Sequence, residues 1–173
     1  MERPIVNLDE LAYEPWDARF PPDDRPGERY GARRAPVSQR LGARKLGYNV
    51  TAILPGKRAF PRHNHRVNEE MFLILEGVGE VIVGESRWPV RKGDVIACPP
   101  GARDTAHQIV NTSADGDLVV LCVSTLETPD IVEYPDSGKV GYGGRFAGPD
   151  GKPDVMYGLC RDDAKVRYWE GEA

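Results

Sequence analysis

From Lys45 to Leu126 the chain alternates between short apolar runs and turn residues, a texture that strongly constrains its fold. The runs are about five to ten residues long, and Gly, Pro, Asn or Asp fills the gaps between them. The gaps at Gly77-Val78-Gly79 and Gly84-Glu85-Ser86 suit tight hairpins, because glycine accepts positive φ angles. Several short strands at regular spacing, with no amphipathic helix between them, predict an all-β barrel or jelly roll. The predicted strands are 46–54, 70–75, 80–83, 87–91, 94–98, 105–110 and 117–126.

The chain has 173 residues, which suits one domain with appended segments. We assign the barrel to residues 46–126. Residues 1–45 are rich in Pro, Arg and Asp, and are predicted to form an irregular N-terminal arm that packs on the barrel or on a partner subunit. Residues 127–173 are predicted to form a C-terminal extension that packs on the barrel.

The C-terminal extension carries further local signals. A strand is predicted at 131–134 and a loop at 135–153, where glycines are frequent. Within that loop, Ser137-Gly138-Lys139 is too short for a phosphate-binding P-loop, which also needs a strand and a helix around it. The bulky residues at 166–170 are expected to anchor the end of the chain on the core.

The formal net charge of −4 hides an uneven distribution. Residues 25–66 contain eleven Arg or Lys and a single acid, Glu28, so this basic stretch could attract an anionic ligand. The other interpretation is a solvated arm whose charge is neutralised within the assembly. Nucleic acid is not expected as a partner, because the whole chain is acidic and the basic stretch lacks interleaved aromatic residues.

Location and redox state follow from what the sequence lacks. Its longest uncharged apolar run, 71–75, is far shorter than the roughly 20 residues needed to cross a bilayer, so no membrane contact is expected. No secretory signal is visible at the start of the chain, which predicts a cytoplasmic location. Cys98, Cys122 and Cys160 are odd in number and widely spaced, which predicts reduced thiols rather than a disulfide framework.

The three histidines, His63, His65 and His107, are candidate metal ligands. Residues two apart on an extended strand point to the same face, so His63 and His65 could bind one ion together. A carboxylate a few residues later would complete the site, and the sequence offers Glu69 and Glu70.

These residues belong to a longer pattern, which runs Gly56…His63-x-His65-x4-Glu70-x6-Gly77 and then Gly93-x5-Pro99-x-Gly101…His107-x3-Asn111. The pattern resembles the two motifs of the cupin superfamily and covers roughly residues 46–126. The resemblance implies a cupin-type double-stranded β-helix, which is a jelly-roll barrel. It also implies that two histidines and a glutamate of the first motif converge with one histidine of the second.

Carried onto this chain, the resemblance assigns the ligand roles residue by residue. The sequence departs from the family pattern by one extra residue before the first ligand and three extra residues before the last. The first departure lengthens an approach loop, and the second bears on the orientation of the last histidine. The implied metal ligands are His63, His65, Glu70 and His107.

Glu70 matches the family pattern and its neighbour Glu69 does not. Six residues separate Glu70 from Gly77, as the pattern requires. Strand parity then places Glu70, Phe72 and Ile74 on one face, and Glu69 on the other.

Three imidazoles and one carboxylate suit a divalent transition metal, namely Fe, Mn, Ni or Zn, and argue against copper(I) or iron–sulfur chemistry. A six-coordinate ion would leave two positions for water, substrate or dioxygen. A closed four-coordinate zinc would instead be structural. Because the histidines must be neutral to bind, metal should be released as the pH falls through roughly 6 to 5.

The function implied by the resemblance is that of a metal-binding cupin acting on a small molecule, with an anion as one candidate. A dioxygenase- or isomerase-type enzyme is the first hypothesis. The alternatives are a non-catalytic cupin that binds or senses a small ligand, and a dimer with a structural metal. The fold does not select among these, so the catalytic residues stay unassigned. A homodimer is expected from the resemblance, with the arm before Lys45 crossing to the partner.

Several polar residues near the ligands could have a functional role or could simply lie on the solvated surface. Arg58, Arg62 and Arg66 bracket the first ligand pair and could hold a carboxylate or phosphate at the barrel mouth. Ordinary solvated arginines are the alternative. Three further groups could support the ligands, although surface exposure is expected for each: Asp104, Glu69 and Tyr134.

Overall fold

The computed structural model describes residues 4–19, 24, 27–148 and 152–172. The regular structure of these residues consists of β-strands and three short 3-10 helices, at Leu8–Glu10, Trp16–Arg19 and Arg103–Thr105. No helix in these ranges has the length and apolar character to span a bilayer. The strands are β1 (Glu14–Pro15), β2 (Ala32–Pro36), β3 (Leu46–Ile53), β4 (Asn64–His65), β5 (Glu70–Glu76), β6 (Val78–Val83), β7 (Ser86–Arg91), β8 (Val95–Cys98), β9 (His107–Asn111), β10 (Leu118–Thr125), β11 (Asp130–Tyr134), β12 (Lys139–Ala147) and β13 (Pro153–Arg161).

The strands form three antiparallel sheets. A six-stranded sheet has the order β1-β2-β3-β10-β5-β8, a three-stranded sheet has the order β7-β6-β9, and a four-stranded sheet has the order β13-β12-β11-β4. The seven strands predicted between residues 46 and 126 are all present, and each end agrees within two residues. The predicted all-β jelly-roll fold is therefore confirmed.

The main core lies between the six-stranded and three-stranded sheets. Phe72 and Ile74 of β5 and Val120 of β10 pack in one cluster with Val81 of β6 and Ile109 of β9. Each of these side chains is at most 9% exposed. Because Glu70 shares the face of Phe72 and Ile74, the strand directs it toward the same interior.

Two hairpin glycines fix the turns on either side of β6. Gly77 and Gly84 have φ angles of +86° and +56°, in the left-handed region that side chains disfavour. A Cβ atom at Gly77 would lie 2.4 Å from the carbonyl oxygen of Asp117, and one at Gly84 would lie 2.5 Å from that of Asp104. Any larger residue at either turn would push the hairpin away from the neighbouring loop.

The predicted N-terminal arm is more regular than the sequence indicates. Strand β2 pairs along β3, with Ala32 opposite Ile53 and Pro36 opposite Asn49. Ala35 is fully buried in a second cluster with Val50. The prediction of an irregular arm is wrong at this strand, because Ala-Arg-Arg-Ala-Pro shows no alternation of apolar and polar residues. The boundaries 1–45, 46–126 and 127–173 stay a prediction.

The predicted loop at 135–153 is also wrong. Strands β12 and β13, each nine residues long, form a hairpin, and β11 joins this hairpin to β4. Glycine disfavours strands, but aromatic side chains cover two of these glycines. A Cβ atom at Gly158 would lie 2.2 Å from the Tyr142 ring, and one at Gly144 would lie 2.6 Å from the Phe146 ring. The predicted strand at 131–134 is confirmed as part of β11.

The end of the described chain does not anchor on the core, contrary to prediction. Val166, Tyr168 and Trp169 are 77%, 83% and 75% exposed. Tyr168 and Trp169 contact each other edge to face, with ring centroids 4.6 Å apart. The tail therefore keeps a large apolar surface in contact with solvent.

Candidate metal centre

One carboxylate oxygen, Oε2 of Glu70, lies at the centre of the candidate site. Glu70 begins β5, and its side chain is only 16% exposed. The Nε2 atoms of His107, His65 and His63 lie 2.9, 3.4 and 3.5 Å from this oxygen. The structure thus places all four predicted ligands around one point, whereas Glu69 is exposed.

Backbone pairing holds two of the histidines side by side. His63 N donates to His107 O at 3.1 Å, and His107 N donates to His63 O at 2.8 Å. The ligand atoms of His63, Glu70 and His107 all lie within 4.8 Å of one another, and these three residues form a group that could hold a metal ion. His65 lies outside this tighter group, although its Nε2 approaches the same Glu70 oxygen.

The outer ring nitrogens of two histidines are held by groups of the protein. His63 Nδ1 lies 2.9 Å from the carbonyl oxygen of Pro61, and His65 Nδ1 lies 2.5 Å from Oδ2 of Asp130. A carbonyl oxygen only accepts hydrogen bonds, so Nδ1 of His63 carries the proton and its Nε2 is left for a ligand role. Metal-bound histidines are typically oriented in this way.

Asp130 is a residue of the candidate site that the sequence reasoning missed. Its Oδ2 also accepts from Asn68 Nδ2 at 2.8 Å, and its Oδ1 accepts from the backbone of Val67 at 3.1 Å. Asp130 contacts His65 because β11 pairs with β4, which places Val132 opposite His65. No local pattern could predict a contact between residues 65 positions apart.

The pKa values of Glu70, His107 and His65 are each shifted by the surroundings of the site. Burial alone would raise the pKa of Glu70, but hydrogen bonds from His107, His63 and His65 hold that pKa well below its usual range. Burial lowers the pKa of His107. Burial also opposes protonation of His65, yet hydrogen bonds and charges from Glu70 and Asp130 raise its pKa to about 9. His65 must therefore lose a proton before it can bind a metal ion.

The neighbouring thiols are not part of the group that could hold a metal ion. Cys98 and Cys122 are buried, and burial raises the pKa of each thiol to about 12. A metal ligand must be the thiolate, so both groups stay neutral near pH 7. The donor set is three imidazole nitrogens and one carboxylate, which fits Mn, Fe, Ni or Zn.

The surroundings of the site are apolar and tight. A cavity of about 20 Å³ adjoins His63 and His107, and its walls include Phe60, Phe72 and Val120. The space is close to that of one water molecule. Tyr134, expected on the surface, instead stacks on His63 with ring centroids 6.0 Å apart and is half-buried.

Charges near the first ligand pair are largely neutralised within the chain. Arg62 binds Asp136 and also donates to Gly84 O. Arg66 binds Glu133, which Arg103 contacts as well. Arg62 and Arg66 are therefore occupied, which favours the interpretation of a basic stretch that is neutralised internally.

Comparison with known proteins relates part of this chain to one protein family. Residues 49–124 match a family model described as a cupin domain. An uncharacterised protein of Methanocaldococcus jannaschii is 37% identical over 73 residues, which are 42% of this chain and 55% of that protein. Cupincin of Oryza sativa subsp. indica is 29% identical over 111 residues, which are 61% of this chain and 23% of cupincin. The chain thus spans only part of the length of these relatives.

Two solved structures extend the similarity beyond the barrel. A proposed sugar phosphate isomerase of Acidithiobacillus ferrooxidans is 26% identical, with a TM-score of 0.60 over 78% of this chain and 80% of that one. A sugar phosphate isomerase of the cupin superfamily from Silicibacter pomeroyi superposes with a TM-score of 0.74 over 96% and 98% of the two chains. Its sequence identity is 21%, so it supports the fold alone.

Proposed function

We infer that this chain, in which residues 49–124 form a cupin domain, binds one divalent transition-metal ion and acts on a small molecule beside it. The observation that carries the proposal is the convergence of three histidine Nε2 atoms on one oxygen of Glu70. His63, His65, Glu70 and His107 would hold the ion. When bound, such an ion would act as a Lewis acid toward a substrate oxygen.

An isomerase-type activity on a small anionic molecule is the reaction we propose. The support is the 26% identity to a protein described as a proposed sugar phosphate isomerase. In this chain, burial raises the pKa of Tyr134, so its hydroxyl keeps its proton at neutral pH and can donate a hydrogen bond to a substrate. Asp130 would position His65 through the Nδ1 hydrogen bond. A dioxygenase is the other enzymatic possibility for this donor set.

Metal content tests the proposal directly. The protein is purified after growth with Fe, Mn, Ni and Zn, and bound metal is measured by mass spectrometry. Glu70→Gln removes a proposed ligand, so it should lower metal affinity by at least about tenfold and reduce the metal retained through purification. Glu69→Gln is the matched control, because it makes the same change one residue away on the exposed side. Equal metal in both variants would contradict the site.

Activity is then followed by NMR on a panel of phosphorylated aldoses and ketoses. Metal-loaded wild-type protein should interconvert at least one pair, and Glu70→Gln should not. Turnover that is unchanged in Glu70→Gln would reject a role for the metal centre in the reaction.

The tight cavity favours a second candidate, a non-catalytic cupin whose metal is structural or holds a ligand. A space of about 20 Å³ beside His63 and His107 leaves little room for a substrate inside the barrel. If the metal is structural, its removal should lower the melting temperature strongly, and no turnover should be found on any substrate. Release of metal with little change in melting temperature would contradict a structural metal.

A homodimer and a cytoplasmic location complete the proposal. Val155, Tyr157 and Leu159 of β13 are 60%, 74% and 49% exposed, and such a surface favours contact with another protein surface. The three free cysteines suit a reducing compartment. Light scattering tests the dimer, and deletion of residues 1–31 tests whether the predicted arm is needed for it.

A further inference from the structure

One face of the four-stranded sheet leads from the metal centre out to the C-terminal hairpin. Val132 lies opposite His65 on one side and opposite Gly141 on the other, and Gly141 lies opposite Leu159. Side chains of directly opposed residues share a face in an antiparallel sheet. Because His65 points at Glu70, this face is the one that opens onto the candidate metal centre.

The next row on the same face brings two cations together. Tyr134 lies opposite Lys139 on β12, and Lys139 lies opposite Arg161 on β13. The Nζ atom of Lys139 lies 5.4 Å from the centre of the Tyr134 ring, and that ring in turn stacks on His63. The cation pair therefore adjoins the aromatic residue that contacts a metal ligand.

Among the described residues, Lys139 and Arg161 lack the carboxylate partners that neutralise other cations near the site. Arg62, Arg66 and Arg103 each form an ion pair with Asp136, Glu133 or Asp162. Within the described ranges, neither Lys139 nor Arg161 forms an ion pair. Like charges directly opposite each other destabilise a sheet, so this pair favours an anion from outside the chain.

We propose that Lys139 and Arg161 form a phosphate subsite at the mouth of the barrel, which holds the phosphate of a substrate whose other end reaches the metal centre. Two positive charges match a phosphate monoester, which carries about −1.5 to −2 at pH 7. The guanidinium of Arg161 matches phosphate oxygens bidentately, and the ammonium of Lys139 acts as a point charge.

The spacing limits the size of the molecule. β12 lies two strands away from β4, and Lys139 lies two residues along from Gly141, so about 12 Å separates the Cα atoms of His65 and Lys139. Both side chains project from the same face of the sheet. A phosphorylated molecule of sugar size can bridge that space, and it would bind at the mouth rather than inside the tight cavity. The proposed phosphate contacts depend only on the hairpin residues, whereas binding of the other end of the molecule rests on the proposed metal function.

Thermal shift with inorganic phosphate tests the subsite without any metal. Phosphate should raise the melting temperature of the wild-type protein, and the double variant Lys139→Gln/Arg161→Gln should lose that shift. The variant should fold, because it removes a like-charge contact. Arg145→Gln is the matched control, since Arg145 is an exposed cation on the same face of β12, about 20 Å further along the strand. A phosphate shift that survives in the double variant would overturn the subsite.

Calorimetry with phosphoglycolate and glycolate on the metal-loaded protein tests the bridging ligand. We expect phosphoglycolate to bind at least tenfold more weakly to the double variant, and glycolate to bind both proteins equally. Equal affinity of phosphoglycolate for both proteins would overturn the subsite even if metal is bound. A protein that takes up no metal would reject the proposed function. If the double variant of that protein still lost the phosphate shift, the subsite would stand.

Discussion

Charged groups in the barrel interior have charged partners within the chain, whereas two cations on the C-terminal hairpin form no ion pair with any described residue. Glu70 is surrounded by three histidines, and Asp130 binds both His65 and Asn68. Lys139 and Arg161 share the face of His65 but form no ion pair within the described residues. Contacts within the chain therefore fix the geometry of the interior groups, whereas the two hairpin cations can bind an anion from outside the chain.

The two regions differ in packing as well. Ile74, in the barrel core, is 1% exposed, and Tyr157, on the hairpin, is 74% exposed. Apolar burial is the main favourable term in folding. The barrel should therefore supply most of the stability, and the hairpin should matter for contacts beyond the subunit.

The largest effect is expected for a core truncation. Ile74→Ala should lower the free energy of unfolding by about 2–5 kcal/mol, because it removes buried methyl groups and leaves a cavity. Urea denaturation measures the change. A loss below about 1 kcal/mol would show that the barrel is less tightly packed than its burial indicates.

A smaller effect is expected for metal affinity as the pH changes. Because the pKa of His65 is raised to about 9, a proton competes with the metal at every lower pH. The apparent affinity for Mn²⁺ should rise about tenfold per pH unit, or about 100-fold from pH 6 to pH 8, equivalent to roughly 2.7 kcal/mol. Titration followed by electron paramagnetic resonance measures this slope.

Asp130→Asn provides the control for that slope. Asp130 helps to raise the pKa of His65, so its replacement should lower that pKa and make the affinity level off at a lower pH. An affinity for Mn²⁺ that does not change between pH 6 and pH 8 would contradict the role assigned to His65.

The smallest effect is expected on the hairpin. Tyr157→Ala should change the free energy of unfolding by less than about 0.5 kcal/mol at low protein concentration, because the side chain is mostly solvated. The same variant should weaken a dimer that uses β13, which analytical ultracentrifugation would detect. A large loss of stability in the monomer would show that the hairpin contributes to the barrel core, and would remove the contrast between the two regions.

Local patterns predicted the barrel strands and Glu70, but not the residues that support the site. The spacing to Gly77 that the cupin resemblance requires selected Glu70 over Glu69, and strand parity then placed the two residues on opposite faces. Asp130 reaches His65 only through the pairing of β11 with β4, which depends on the whole fold. The same pairing places Tyr134 against His63, although the sequence predicted that Tyr134 is exposed.

The hairpin and the tail were mispredicted for a different reason. Gly141, Gly143 and Gly144 suggest a loop, because glycine weakens strands. Pairing with β13 and cover from Tyr142 and Phe146 outweigh that preference. The aromatic residues of the tail suggest burial, yet they stay exposed in the single subunit. Composition therefore failed where strand pairing and aromatic cover outweigh the preference of glycine, and where aromatic side chains stay exposed.

At the proposed metal site, the reciprocal hydrogen bonds between His63 and His107 make binding of an ion depend on how far the barrel has folded. These residues are 44 positions apart, and β5 to β8 must be placed before they can meet. A nascent or partly folded chain would offer only the first ligand pair, which binds weakly. Tight binding of an ion at the proposed site would thus require a closed barrel, in which His63 and His107 already lie side by side.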